Sequence, residues 1–182
     1  MSEKKMIMKE KIYDALDILQ YAVILLTALW ALTGLAIQFC WTPTGSMAPT
    51  IPAGGKFITS YCKPEDLQYD DIVTFVPIAR GENVEDDNDD NNDQEVQYCK
   101  RVIGLPGDVI EVRDGCTWRN GEKLDPDYVI EYQLDTMEPY TVPEGTMFCM
   151  GDNRNNSLDS RCLGAFKLDG LRGKVIWYEK SV

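Results

Sequence analysis

The chain has no histidine in 182 residues, which removes the commonest general base, a leading metal ligand and the usual partner of a reactive serine. Its six cysteines, at 40, 62, 99, 116, 149 and 162, show no C-x-x-C spacing. A zinc centre has little to build on, and no metal or cofactor is expected. Six cysteines admit many pairings between which sequence cannot choose, and free thiols are the simpler expectation. Basic side chains are scarce too: 18 Lys and Arg stand against 30 Asp and Glu, a net charge of -12. That balance excludes a nucleic-acid partner, which needs clustered cations. Residues 82–95 contribute eight of the acidic side chains and no basic one. The block reads as a solvated, mobile loop, and it lacks the glycine and closing glutamate of an EF-hand frame.

Charge of either sign is missing between Asp17 and Lys56. Within that gap residues 21–39 are nearly all apolar, and as a helix they would span about 28 Å, close to a ~30 Å hydrocarbon core. We therefore expect an N-terminal segment over 1–17, a transmembrane helix over 18–40 and a soluble domain over 41–182. Lys4, Lys5, Lys9 and Lys11 precede the span, which favours a cytoplasmic N-terminus and an extracytoplasmic C-terminal domain in a cell membrane. Trp41 sits where an interfacial aromatic would anchor the exit. The run is longer than a signal-peptide core, and its small-x-small triplet, Gly34-Leu35-Ala36, lies inside the apolar stretch.

Just beyond the span comes Pro43-Thr44-Gly45-Ser46-Met47-Ala48-Pro49-Thr50. Ser46 reads as a nucleophile, but a serine hydroxyl needs a positioned base and no histidine exists to supply one. A neutral lysine is the known alternative, and Lys100, in Tyr98-Cys99-Lys100-Arg101-Val102-Ile103, is the candidate. An ordinary lysine has a pKa near ~10.4 and is under about 1% neutral at pH 7 to 8. Burial in apolar surroundings lowers that pKa, and a strand would turn Lys100 and Tyr98 to one face and Cys99 and Arg101 to the other.

Three motifs carry a family resemblance. Ser46-Met47-Ala48-Pro49-Thr50 resembles the nucleophile box of bacterial type I signal peptidases, which are Ser-Lys serine proteases. Lys100-Arg101 followed by Pro106-Gly107-Asp108 is similar to their lysine box, and residues 151–161 (GDNRNNSLDSR) to their final box. The resemblance implies a coiled antiparallel β-sheet catalytic domain on one N-terminal helix. It implies cleavage of signal peptides from exported preproteins through an acyl-enzyme, with the lipid bilayer and the secretion translocon as further partners. Ser46 would attack, Lys100 would act as general base, Thr44 would complete the oxyanion hole with the Ser46 N–H, and Ser157 would hydrogen-bond and orient the lysine. By the same resemblance Thr42, Pro43, Met47, Ile51, Phe57, Tyr98 and Cys99 line the substrate cleft, and Asp152, Asn153, Arg154, Asp159 and Arg161 support the final box.

Independently of that resemblance the soluble part reads as mainly β. Residues 56–61, 71–76, 97–103, 109–112, 116–119, 146–150 and 175–178 are rich in β-branched and aromatic side chains, with turn signals at Asp114-Gly115 and Asn120-Gly121. A second short motif, Ser60-Tyr61-Cys62-Lys63, fits S-x-x-K but sits in a strand-like segment without the K-T-G and S-D-N elements that accompany it in penicillin-recognising enzymes. Two other functions compete: a Ser-Lys peptidase restricted to one client, such as a pilin, a conjugation factor or a spore-coat protein, and a non-catalytic membrane-tethered adaptor. An adaptor would have lost Ser46 or Lys100, and both are present.

Overall fold

A computed structural model describes residues 3–33, 37–79, 82–83 and 97–180. They form two units, one helical and one that begins at Ile37. The helical unit is α1 (Glu3–Thr33). Its stretch Lys11–Ala31 has a mean hydropathy of 1.6 with none of it buried, so this helix is long and apolar enough to cross a membrane. Leucine and alanine dominate it, and both are strong helix formers.

The expected helical span of 18–40 is corrected at its C-terminal end. Ile37–Trp41 is a β-strand, β1, paired antiparallel with β2 (Lys56–Ser60) in the register Ile37↔Ser60 to Trp41↔Lys56. Hydropathy alone cannot separate an apolar strand from the end of an apolar helix. In β1 only Cys40 is half-buried, and it is the sequence alternation of Ile37, Phe39 and Trp41 with Gln38 and Cys40 that gives a period-2 pattern a hydropathy window averages away.

The second unit is antiparallel throughout. Its strands are β1, β2, β3 (Ile72–Phe75), β4 (Ile78–Ala79), β5 (Glu82–Asn83), β6 (Tyr98–Gly104), β7 (Val109–Arg113), β8 (Cys116–Arg119), β9 (Glu122–Lys123), β10 (Met137–Thr141), β11 (Thr146–Met150), β12 (Phe166–Lys167) and β13 (Leu171–Tyr178). Nine make one open sheet in the order β1-β2-β13-β3-β6-β11-β12-β4-β5, and four make a second in the order β10-β7-β8-β9. A single turn of helix, α2 (Ser160–Leu163), follows the final box. The acidic stretch 82–95, apart from Glu82 and Asn83, lies outside the described residues.

The two turn signals act as expected: Asp114 and Gly115 adopt φ of 53° and 70°, Asn120 and Gly121 of 53° and 80°, the left-handed pairs that tight hairpins need. β11 is apolar along its length because both its faces are covered. Met147 and Cys149 join Val73, Phe75, Val102 and Phe166, while Phe148 and Met150 join Ile103, Ile110 and Val142. β6 is shared in the same way, with Val102 on one side and Ile103 on the other. That double burial fixes the register of β6, because a one-residue slip would exchange its faces.

Candidate active site

A tight turn places Ser46. Ala48 N–H donates to the Gly45 carbonyl at 3.1 Å and Ile51 N–H to the Met47 carbonyl at 2.9 Å. The chain entering it is fixed by Thr42, whose N–H donates to Gly55 O at 3.0 Å and whose hydroxyl donates to Thr44 O at 2.8 Å. The final box holds the turn from the other side: Asn153 N–H donates to Ser46 O at 3.0 Å, and its side-chain amide to Gly45 O at 3.2 Å. Gly151 lets the two segments meet. A Cβ there would lie 2.5 Å from Ser46 O and 2.3 Å from Ser157 Oγ.

Lys100 reaches the turn from β6, whose pairing with β3 sets Val73 opposite it. Its Nζ is 2.7 Å from Ser46 Oγ and 5.3 Å from the Tyr98 ring centre, and the residue is only 5% exposed. Burial lowers the Lys100 pKa from its ordinary value, and the Asp159 charge offsets part of that. Ser46 Oγ accepts from Lys100 Nζ and also from the Thr44 hydroxyl, at 3.3 Å.

The neighbouring residue faces the other way and meets a different fate. Arg101 holds Asp152 through Nε–Oδ1 at 2.8 Å and Nη2–Oδ2 at 2.5 Å, and Thr50 donates to the same carboxylate. Burial alone would lower the Arg101 pKa, but the Asp152 carboxylate outweighs it and the net shift is upward. In the final box Asp159 accepts from Gly151 N–H at 3.0 Å and from Arg161 through Nε at 2.9 Å and Nη2 at 2.8 Å, and it caps α2. Burial opposes the Asp159 charge, yet the Arg161 guanidinium and the Gly151 N–H keep its carboxyl below the usual carboxylate range.

Beside Ser46 and Lys100 opens a cleft of about 660 Å³. Of the residues expected in it, Thr42, Pro43, Phe57, Tyr98 and Cys99 are there, with Thr44. Met47 and Ile51 are not. Both are fully buried beneath the turn against Phe57 and Ile72, because the turn that faces Ser46 into the cleft drives these apolar side chains inward. Phe39, Cys40, Trp41, Thr74, Gln97, Asn156 and Leu158 also line the cleft and were not foreseen. The alternation of Ile37, Phe39 and Trp41 was the available signal. Burial raises the thiol pKa of Cys40 and pushes that of Cys99 up to about 12, so both present themselves as neutral, apolar walls.

Ser157 departs from expectation. Its hydroxyl is buried against Gly151, near Asp159, and it makes no hydrogen bond of ordinary geometry to Lys100 or any other group. All six cysteines are free. Among the described residues no group of three or more metal-ligating side chains is present.

An alcohol within reach of a buried amine, at the edge of an open cleft, meets the needs of nucleophilic serine hydrolysis. Comparison with known proteins agrees. The family described as "Signal peptidase, peptidase S26" matches residues 15–178. A probable signal peptidase I-1 of Synechocystis sp. is 32% identical over 75% of this chain and 68% of its own length. A signal peptidase I of Bacillus caldolyticus is 36% identical over 71% of this chain and 72% of its own. Signal peptidase I S of Bacillus subtilis is 38% identical over 48% of this chain and 55% of its own length. The crystal structure of a signal peptidase I from Enterococcus faecalis aligns with a TM-score of 0.44 and 30% identity, covering 59% of this chain and 95% of that one. The chain belongs to the signal peptidase (peptidase S26) family, and is thereby a serine endopeptidase of the kind that cleaves signal peptides.

Proposed function

We propose that this protein is a membrane-tethered endopeptidase that removes signal peptides from exported preproteins with Ser46 as nucleophile and Lys100 as base. The observation that carries the reading is the 2.7 Å approach of Lys100 Nζ to Ser46 Oγ inside a pocket that disfavours the ammonium form. The neutral amine takes the proton of Ser46 as its Oγ bonds to the scissile carbonyl carbon. The developing oxyanion is met by the Ser46 N–H and by the Thr44 hydroxyl, turned from Ser46 Oγ toward it. Lys100 returns the proton to the departing amine, which leaves an ester on Ser46. It then draws a proton from the water that attacks the ester, and passes it to Ser46 Oγ as the acid leaves.

Ser157 is assigned to orient the amine. Its buried hydroxyl makes no hydrogen bond of ordinary geometry, so it is free to turn about its Cα–Cβ bond toward the amine. The α1 helix is the proposed bilayer anchor, with its N-terminus cytoplasmic, the catalytic unit outside and the secretion translocon nearby. The test is cleavage of a preprotein in detergent by Ser46→Ala and Lys100→Ala. Both should abolish turnover while thermal unfolding stays cooperative, and near-normal activity in Lys100→Ala would remove the base from the scheme. A panel of unrelated preproteins separates general processing from a single client.

A further inference from the structure

The final box and its neighbours bury three arginine side chains, and two of them are matched by carboxylates. Arg101 has Asp152, and Arg161 has Asp159 together with Asp135 at 2.9 Å. Arg154 has none. It is 4% exposed, and it donates through Nε to Gly151 O at 3.1 Å and through Nη1 to Thr117 Oγ1 at 2.7 Å, both neutral acceptors. Asp152 and Asp159 favour its charge through space, but both are bonded to the other two arginines. A buried guanidinium is ordinarily paired, because leaving its charge uncompensated is costly.

Arg154 also lines a second cavity, of about 220 Å³, which shares no lining residue with the cleft beside Lys100. Its walls include Ala48 and Pro49, the second and third residues after Ser46, together with Val129 and Ile130. Glu131 stands at the same cavity, exposed and tied to the Asn155 amide at 3.2 Å. Thr42, Pro43, Thr44 and Ser46 thus face the cleft, and Ala48 and Pro49 face this second space.

We propose that this cavity receives the substrate just beyond the scissile bond, and that Arg154 there pairs with an acidic side chain of the released chain. The inference rests on the peptidase reading given above. The cavity wall includes the second and third residues after Ser46, so the second to fourth substrate residues after the cut are the ones to vary. The volume suits one side chain, and the carboxylate it brings would be the first bonded directly to Arg154, since Asp152, Asp159 and Asp135 are bonded to the other two arginines. Glu131 carries the same sign as that ligand and weakens its binding.

The test uses the full chain in detergent and preprotein-derived peptides that differ only in Glu, Gln or Lys at the second, third or fourth residue after the cut. At one of these positions kcat/KM for Glu should exceed that for Gln by about tenfold, the scale of one charge-assisted hydrogen bond, with Lys below both. Glu131→Gln should raise the Glu-to-Gln ratio, and Arg154→Gln should bring it to about one. Thermal unfolding checks the second variant, and the wild-type and Glu131→Gln series stand without it. Equal rates for Glu and Gln at all three positions, or a preference for Lys, overturn the inference while leaving the peptidase intact. Failure to cleave any peptide at all removes the peptidase reading, and this inference with it.

Discussion

Replacing Gly151 with alanine tests the way the final box holds the nucleophile. The new Cβ would sit 2.5 Å from Ser46 O, 2.3 Å from Ser157 Oγ and 2.7 Å from Ser157 Cβ. Ordinary van der Waals contact needs about 3.4 Å, so the Ser46 carbonyl is short of room by on the order of 0.9 Å. Rotating the Ser157 hydroxyl cannot relieve this, since the Ser157 Cβ and a backbone oxygen are both too close. The turn must give, and Ser46 O is also the acceptor for Asn153 N–H, so the strain reaches Oγ. Overpacking of this kind costs roughly 1–3 kcal/mol, and a displacement near 1 Å at a reacting group costs on the order of 10²-fold in rate. We expect kcat on a preprotein to fall by about two orders of magnitude, and Tm by several degrees. Gly45→Ala is the control for stability, because a Cβ there meets nothing within 4 Å and unfolding should shift by less than about 1 kcal/mol. Turnover within threefold of wild type in Gly151→Ala would refute the account of how Ser46 is positioned.

The pH dependence follows from burial of Lys100. In the proposed mechanism the base is neutral Lys100, so kcat/KM should rise with pH through a midpoint below the ordinary lysine value of ~10.4. Because the folded pKa lies below the unfolded one, the unfolded chain binds the extra proton between them. Stability is therefore full above about pH 10.4 and declines as pH falls toward the folded pKa. Urea midpoints of Lys100→Met across that window should lose this slope, and an unchanged slope would contradict the burial argument. Asp152→Asn should cost about 3–5 kcal/mol in urea unfolding, since it strands the buried Arg101. Thr44→Val should lower kcat by about 10²- to 10³-fold and Thr44→Ser should restore it, whereas equal activity of the two would exclude the hydroxyl from the oxyanion site.

Local chemistry made much of this legible before any coordinates. Asp-Gly and Asn-Gly marked hairpins because few residues tolerate a positive φ, and β6 declared its two faces through strict alternation of Tyr98, Cys99, Lys100 and Arg101. The pairing of Ser46 with Lys100, 54 residues apart, came from motif order, since no local rule brings such positions together. What was missed depends on tertiary context. Met47 and Ile51 neighbour the nucleophile in sequence but are the floor beneath it. The boundary between α1 and β1 was hidden because membrane and sheet edge both accept apolar residues. Ser157 lies beside the site without the expected bond, a detail set by fractions of an ångström that a motif does not encode.

The pleat of β6 has a further consequence. It divides two consecutive basic side chains into separate electrical compartments, one that disfavours the bound proton and one that favours it. Transposing the pair, as Lys100→Arg with Arg101→Lys, would preserve composition, net charge and side-chain bulk almost unchanged. The swapped enzyme would nonetheless set a group that never deprotonates beside the alcohol and a one-point donor against a carboxylate shaped for a fork. In the proposed mechanism the order of two letters, rather than their presence, decides whether there is a catalyst.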